Sequence, residues 1–328
     1  MRILVIGGTG FLGSEIARAC LHAGHTVTVM SRAGADVPAG ATTLLANRLR
    51  LPDLGDQFDG IIDTCCYAPY MVDELVRACG PNRPHYTLIS SISVYDDFSA
   101  PHLTESHPTP DATADDLEVA SAVPEEEISD ASQYGAAYGR LKRACELSAS
   151  EQFDTLVIRL GLIVGPRDYT DRFTYWVRRC DLGGTVPVPG PPDRLWQFID
   201  VRDAASFVVR QATAKISQTF HVTGEPVSAQ EVLRRMCELA QPSTRIVWRP
   251  LGRFVDLGHR PWTTLPLITP DDPSIAHFQN VSIQSAVDAG LTQRNIGKTI
   301  SATLEWDRQR RDVPLQGGLS AAQEAALL

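Results

Sequence analysis

Four apolar residues, Ile3-Leu4-Val5-Ile6, run directly into Gly7, Gly10 and Gly13, three glycines spaced by three. The run is too short for a buried helix, so it predicts a central strand that turns sharply into a helix over residues 11–23, closed by Gly24. Thr26-Val27-Thr28-Val29-Met30 supplies a second strand and completes a strand-helix-strand unit. The alternation continues with a short third strand at 44–46, a fourth at 60–64, a helix over 71–79, a fifth strand at 86–89 and a helix from Tyr138 to residue 150. Further on, residues 227–240 read as an amphipathic helix with Ser228 as N-cap and Glu231 completing a capping box. Residues 283–289 and 296–309 read as closing helices, and the glycine-led apolar tail 316–328 is expected to be a frayed helix or disordered.

This order of elements predicts an α/β chain: a Rossmann-type doubly wound parallel sheet with a smaller C-terminal substrate domain. Residues 1–165 are expected to form the dinucleotide-binding domain, with segments near 195–225 returning to it, and 166–328 to be mainly substrate-binding. The glycine turn is a phosphate cradle, satisfying both Gly8-x-Gly10-x-x-Gly13 and Gly7-x-x-Gly10-x-x-Gly13. Residues without a Cβ permit positive φ and close approach of backbone N–H groups to an anion, and the following helix aims its positive dipole end at the same place. Gly7, Gly10, Phe11, Leu12 and Gly13 are therefore candidate contacts to a dinucleotide pyrophosphate.

The second strand ends at Ser31-Arg32, where NAD-preferring folds place an acid for the ribose 2′-hydroxyl. An arginine there suits the 2′-phosphate of NADP instead, with Ser31 as a second donor, so NADP(H) is expected over NAD(H), although Asp36 lies close enough to turn towards a ribose. Asn47, past the third strand, is placed for the adenine edge. Tyr67 and Tyr70 follow the fourth strand and are candidate walls of the nicotinamide or substrate pocket. Ser90-Ser91 lie at the end of the fifth, and Tyr138 and Lys142 share a helix face four residues apart.

Net charge is −9 over 328 residues, which argues against general nucleic-acid binding. No apolar run reaches membrane-spanning length and the N-terminus starts at once as a strand, so no membrane association and a cytoplasmic location are expected. Seven cysteines form no C-x-x-C pair, and the histidines stand at no metal-ligand spacing, so no metal site is expected. Adjacent Cys65 and Cys66 read as strand-packing thiols, with one able to face the cleft.

Together the glycine turn, Ser91 four residues before Tyr95, and Tyr138-x-x-x-Lys142 resemble the extended short-chain dehydrogenase/reductase family, which includes nucleotide-sugar epimerases and dehydratases. Arg159-Leu160-Gly161-Leu162-Ile163-Val164-Gly165-Pro166, Phe198-Ile199-Asp200-Val201-Arg202-Asp203 and Phe220-His221-Val222-Thr223-Gly224 are similar to later segments of that family. The resemblance covers most of residues 1–225 and implies Tyr138 as acid/base, Ser91 as a second donor to the substrate oxygen, and Lys142 as the cation that lowers the phenol's pKa and bonds the nicotinamide ribose. The implied activity is NAD(P)-dependent reduction of a carbonyl, or oxidation of an alcohol, on a small organic molecule. The alternatives are a sugar epimerase using transient oxidation by the same residues, and a non-catalytic NADP-sensing or RNA-associated member of the fold. A homodimer through the Tyr138 helix fits the resemblance.

Two departures narrow the substrate. Ile92-Ser93 stand where hexose dehydratases of the family carry Asp-Glu, and Trp196 stands where nucleotide-sugar enzymes tend to carry a pyrophosphate-binding arginine, with Arg194 two residues earlier as a substitute. An indole cannot supply a charge-assisted phosphate contact, so Trp196 is expected to stack on an aromatic or apolar substrate. Ser93, Tyr67, Arg167 and Trp176 are further candidate substrate contacts, and the proline- and aromatic-rich 251–273 is expected to wrap the pocket. Between Arg83 and Arg140 there is no lysine or arginine, yet eleven acidic residues lie there. This long connection, 96–133, is expected to be a solvated segment, or else a flap over the site that discourages anionic substrates.

Overall fold

The computed structural model describes residues 1–127, 131–240 and 243–328. Asp130, one of the acidic residues of the long connection, lies outside them. In chain order the first half comprises β1 (Arg2–Ile6), α1 (Phe11–His22), β2 (Thr26–Ser31), β3 (Thr42–Leu45), β4 (Gly60–Asp63), α2 (Pro69–Cys79), β5 (His85–Ser91), α3 (Ala114–Ala122) and α4 (Tyr138–Gln152). The second half comprises β6 (Thr155–Leu160), β7 (Leu162–Val164), α5 (Arg172–Asp181), β8 (Gly184–Pro189), β9 (Leu195–Trp196), β10 (Phe198–Asp200), α6 (Val201–Thr213) and β11 (Thr219–Val222). It closes with β12 (Val227–Ser228), α7 (Ala229–Leu239), β13 (Thr244–Arg249), α8 (Leu251–Asp256), α9 (Gln284–Asp288), α10 (Ile296–Arg308) and α11 (Ala321–Leu327).

Among the described residues seven strands form one parallel sheet in the order β11-β6-β5-β4-β1-β2-β3. Leu4, Val5 and Ile6 of β1 are fully buried because helices cover both faces, which is why the run is continuously apolar instead of alternating. One face packs α1 and α6 through Ile16, Ala17, Val208 and Phe207, and the other packs α2 and α4 through Val72, Leu75, Leu141 and Cys145. The strand order reverses beside β1, so the crevice over the carboxyl ends of β1 and β4 is the topological switch point at which this architecture binds ligands.

A third core lies in the second half of the chain, where α5, α7, α10 and the β8–β13 pair bury Phe173, Trp176, Val186, Val232 and Leu304. Two expectations are corrected here. The tail is folded: Ser320 and Gln323 form a capping box for α11, Glu324 accepts two hydrogen bonds from Arg179 at 2.7 and 2.9 Å, and Leu327 is fully buried in the third core. The acidic connection is not simply solvated: α3 lies within it, capped reciprocally by Thr113 and Asp116, and its flanks dock on the sheet and on residues 274–282. Ser228 does cap α7, its Oγ accepting from Glu231 N at 3.2 Å.

Candidate active site

The glycine turn forms because Gly7 and Gly13 stand where nothing larger fits. Gly7 has φ +77°, and a Cβ there would meet Thr64 Oγ1 at 2.4 Å; one on Gly13 would fall 2.2 Å from Gly7 O. Gly7 O accepts from Gly10 N at 3.0 Å, closing the turn. α1 begins behind Gly10 with no side-chain cap, so the N–H groups of Phe11, Leu12 and Gly13 are left to an external acceptor. Leu12 packs its side chain into the core, so its contribution is through the backbone alone. This tight turn, ending in uncapped N–H groups, fits a dinucleotide pyrophosphate.

At the opposite side of β1, Ser91 ends β5 with its Oγ accepting from Ser93 N at 3.1 Å, which opens a short 3₁₀ turn over Ile92–Val94. α4 starts on this turn. A Cβ on Gly139 would lie 1.8 Å from Ser93 O, so the glycine after Tyr138 is what lets the helix start press against the Ser91 turn.

Lys142, one turn into α4, is 1 % exposed. Its Nζ donates to Cys66 O at 2.6 Å and Ile89 O at 2.5 Å, and lies 5.3 Å from the Tyr67 ring centroid. Burial acts to lower the ammonium's pKa, but the nearby Tyr138, Cys145, Cys66 and Asp63 outweigh it and leave it raised, so Lys142 stays charged. Two of its three N–H groups are spent on carbonyls, and the third remains for Tyr138 or a ligand. Tyr67 stacks on Tyr134 at 5.3 Å and stands 6.4 Å from the ring of Tyr138. Ser91, Tyr138, Lys142 and Tyr67 thus share one corner at the carboxyl end of β4 and β5. Tyr70 faces away, its hydroxyl donating to Ala120 O at 3.3 Å. Cys66 is buried, while Cys65 packs near Gly7 and burial pushes its thiol well up, out of the nucleophilic range.

Behind this corner Tyr138, Lys142 and Glu146 follow one another at four-residue intervals on α4, and Glu146 was not anticipated. It accepts from Ser90 Oγ at 2.6 Å and from both Nε and Nη2 of Arg159 at 3.0 and 2.7 Å. Arg159 also donates to Tyr95 Oη at 2.5 Å, and Tyr95 meets His221 Nε2 at 2.7 Å. The network fixes α4 to β5, β6 and β11. The i, i+4, i+8 spacing was the legible signal; the partners, brought from separate strands, were not.

Other candidates sit apart. Ser31 Oγ accepts from Gly34 N at 3.1 Å, and Arg32 donates to Glu126 O at 2.8 Å. Asn47 Oδ1 accepts from Leu49 N at 2.9 Å, and its Nδ2 donates to Glu125 Oε1. Arg167 is half-buried with φ +76°, in the loop after β7. Trp176 and Trp196 require a correction. They are 1 % and 0 % exposed, stand 5.7 Å apart inside the third core, and Trp176 Nε1 donates to Pro266 O at 2.8 Å. Both indoles hold that core together and neither presents a face to a pocket. Arg194 is engaged too, donating to Asp271 Oδ1 at 2.6 Å and to Thr269 and Gly190 carbonyls. Among the described residues no group of three or more His, Cys, Asp or Glu is placed to hold a metal ion, and no helix is long and apolar enough to cross a membrane.

A family model described as NAD dependent epimerase/dehydratase matches residues 3–65 and 61–222. The chain belongs to the NAD dependent epimerase/dehydratase family. No curated protein matches it in sequence. Among solved structures, this family member is similar to UDP-glucuronic acid 4-epimerase from Bacillus cereus in complex with NAD, at 14% identity and a TM-score of 0.64 over 95% of this chain and 98% of that one. It is also similar to UDP-N-acetylglucosamine 4-epimerase from Methanobrevibacter ruminantium M1 in complex with UDP-N-acetylmuramic acid, at 16% identity and a TM-score of 0.63 over 94% and 98%. At these identities the likeness is one of fold.

Proposed function

We propose that this protein is an NADP(H)-dependent oxidoreductase that interconverts a carbonyl and an alcohol on a small organic molecule. The observation that carries this reading is the convergence of Ser91, Tyr138 and a buried, charged Lys142 beside an uncapped glycine turn. Gly7, Gly10 and Gly13 with the N–H groups of Phe11 and Leu12 would hold the pyrophosphate, Asn47 the adenine, and Ser31 with Arg32 the 2′-phosphate. When bound, the dinucleotide supplies or takes up a hydride. Charge then changes on the substrate oxygen, where the Tyr138 hydroxyl gives or takes the proton and Ser91 Oγ donates a hydrogen bond. Lys142 would offer its remaining N–H to the nicotinamide ribose or to Tyr138. Tyr67 and Ser93 border this corner and, with Arg167, would touch the substrate, which residues 166–328 largely enclose.

The engagement of Arg194 and the burial of Trp196 leave neither as a contact for a substrate pyrophosphate, which supports a substrate without a nucleotide. A second reading, epimerisation by transient oxidation, is favoured by the epimerases among the structural neighbours. Purified protein assayed with NADPH against a panel of small ketones and aldehydes should consume NADPH stoichiometrically; isomerisation with no net absorbance change supports the epimerase instead. In either case Tyr138→Phe should lower turnover at least ~10²-fold and leave NADPH binding intact. Undiminished turnover in that variant removes Tyr138 from the chemistry.

A further inference from the structure

The cofactor crevice has two halves, and the half over β2 and β3 takes the adenosine end of a dinucleotide. Three side chains there are already engaged by the acidic connection. Asn47 Nδ2 and Arg50 Nη2 both donate to the Glu125 carboxylate, the latter at 3.0 Å, and Arg32 Nη1 donates to Glu126 O at 2.8 Å. These contacts span 75 to 94 residues of sequence, so the fold places this turn here and local chain geometry does not. Glu127 N donates to Pro124 O at 2.9 Å, which shapes the turn that sets the Glu125 carboxylate on Asn47 and Arg50 and the Glu126 carbonyl on Arg32.

We propose that Glu125 is a specificity-determining residue that competes, from within the chain, with the adenosine end of the cofactor and most strongly with a 2′-phosphate. This rests on the dinucleotide reading above. An incoming 2′-phosphate must approach the Glu125 carboxylate and draw Arg32 from the Glu126 carbonyl, whereas a ribose 2′-hydroxyl meets no charge repulsion. The turn is held by contacts suited to release: the Arg50–Glu125 pair is largely solvent-exposed, with side chains 78% and 39% accessible, and such pairs are weak and screened by salt. The acidic connection therefore sets how far Arg32 can express a preference for NADP.

Titrating wild type, Glu125→Ala and Glu125→Gln with NADP⁺ and NAD⁺, followed by protein fluorescence, tests this. Glu118→Gln on α3, an equal change of net charge away from the turn, serves as the control. Glu125→Ala should bind NADP⁺ three- to ten-fold tighter and NAD⁺ at most two-fold tighter, with Glu125→Gln between it and wild type and Glu118→Gln unchanged. Hydrogen exchange of wild type at residues 124–127 should quicken when NADP⁺ is added. Unchanged or weakened NADP⁺ binding in Glu125→Ala, or slower exchange of the turn with NADP⁺, overturns the proposal while leaving the dinucleotide reading in place. Absence of binding of either dinucleotide to wild type and variants alike refutes the dinucleotide reading itself, and the inference with it.

Discussion

At the scale of single residues, the candidate site depends as much on what is absent from a side chain as on what is present. Gly139 lies within regular helix, so its value is space and not conformational freedom. A Cβ at this position would overlap Ser93 O at 1.8 Å and Ser93 C at 2.9 Å, both backbone atoms that cannot rotate away. Gly139→Ala must therefore displace the start of α4, and with it Tyr138, from the Ser91 turn. Misplacement by about 1 Å costs up to ~10²-fold in a positioned reaction, and overpacking costs about 1–3 kcal/mol. The variant should fold with a modestly lowered urea midpoint, bind dinucleotide as wild type does, and lose ten- to hundred-fold in kcat with little change in KM. A folded variant with wild-type kcat would mean that the closeness of helix and turn plays no part in turnover. Tyr138 and Lys142 were legible as a pair because a helix repeats every 3.6 residues. The anchoring of Lys142 by Cys66 O and Ile89 O was not, because carbonyls carry no sequence signal.

At the scale of elements, α11 makes a sharper test because its sequence pointed away from order. It is seven residues long and rich in alanine, too short to be stable alone. Its stability comes from elsewhere: Arg179 on α5 reaches Glu324, and Leu327 enters the third core. A chain ending after Leu319 gives up the burial of Leu327, about 1.5–3 kcal/mol, and leaves Arg179 only the carbonyls of Gly183 and Thr185. Such a chain should unfold at a clearly lower urea concentration than full length, and an unchanged midpoint would show that α11 is not docked in solution. The Ser320-x-x-Gln323 capping box was the readable clue to this helix; its partner, 145 residues away, was not. The same division runs through the molecule. β1 and β4 were legible because parallel strands covered on both faces are written as apolar runs. The Trp176–Trp196 contact and the docking of Glu125 on Asn47 join distant segments, and neither period nor composition encodes such pairings.

At the scale of the whole molecule, His221 ties three regions together. It sits on β11 at the edge of the sheet; its backbone N donates to Glu105 Oε1 of the acidic connection at 2.8 Å, and its Nδ1 is 2.9 Å from Ser282 O in the C-terminal half. With Nδ1–H donating to that carbonyl, Nε2 is an acceptor for the Tyr95 hydroxyl, which in turn accepts from Arg159 and has Thr104 O as a second acceptor at 3.1 Å. Protonating Nε2 would reverse the Tyr95 bond, turning the hydroxyl to Thr104 O, and place a second cation beside Arg159. Burial first, and Arg159 after it, lower the His221 pKa from its ordinary 6.5, against the opposing pull of Glu105, the Ser282 carbonyl and Glu146. The sign follows from linkage: where the unfolded chain is protonated at this histidine and the folded one is not, stability rises with pH. The contribution is therefore complete above about pH 6.5 and is lost as pH falls from there towards the folded value. One proton of difference gives at most about 1.4 kcal/mol per pH unit. His85, whose pKa burial also lowers, adds a slope of the same sign. Urea unfolding of wild type between pH 7.5 and 5.5 should show stability falling with pH, and His221→Gln, which keeps hydrogen-bonding capacity but cannot titrate, should fall less steeply by up to one proton. If the variant keeps the wild-type slope, His221 takes up no proton on unfolding in this range, and the junction of sheet, acidic connection and C-terminal half is indifferent to pH.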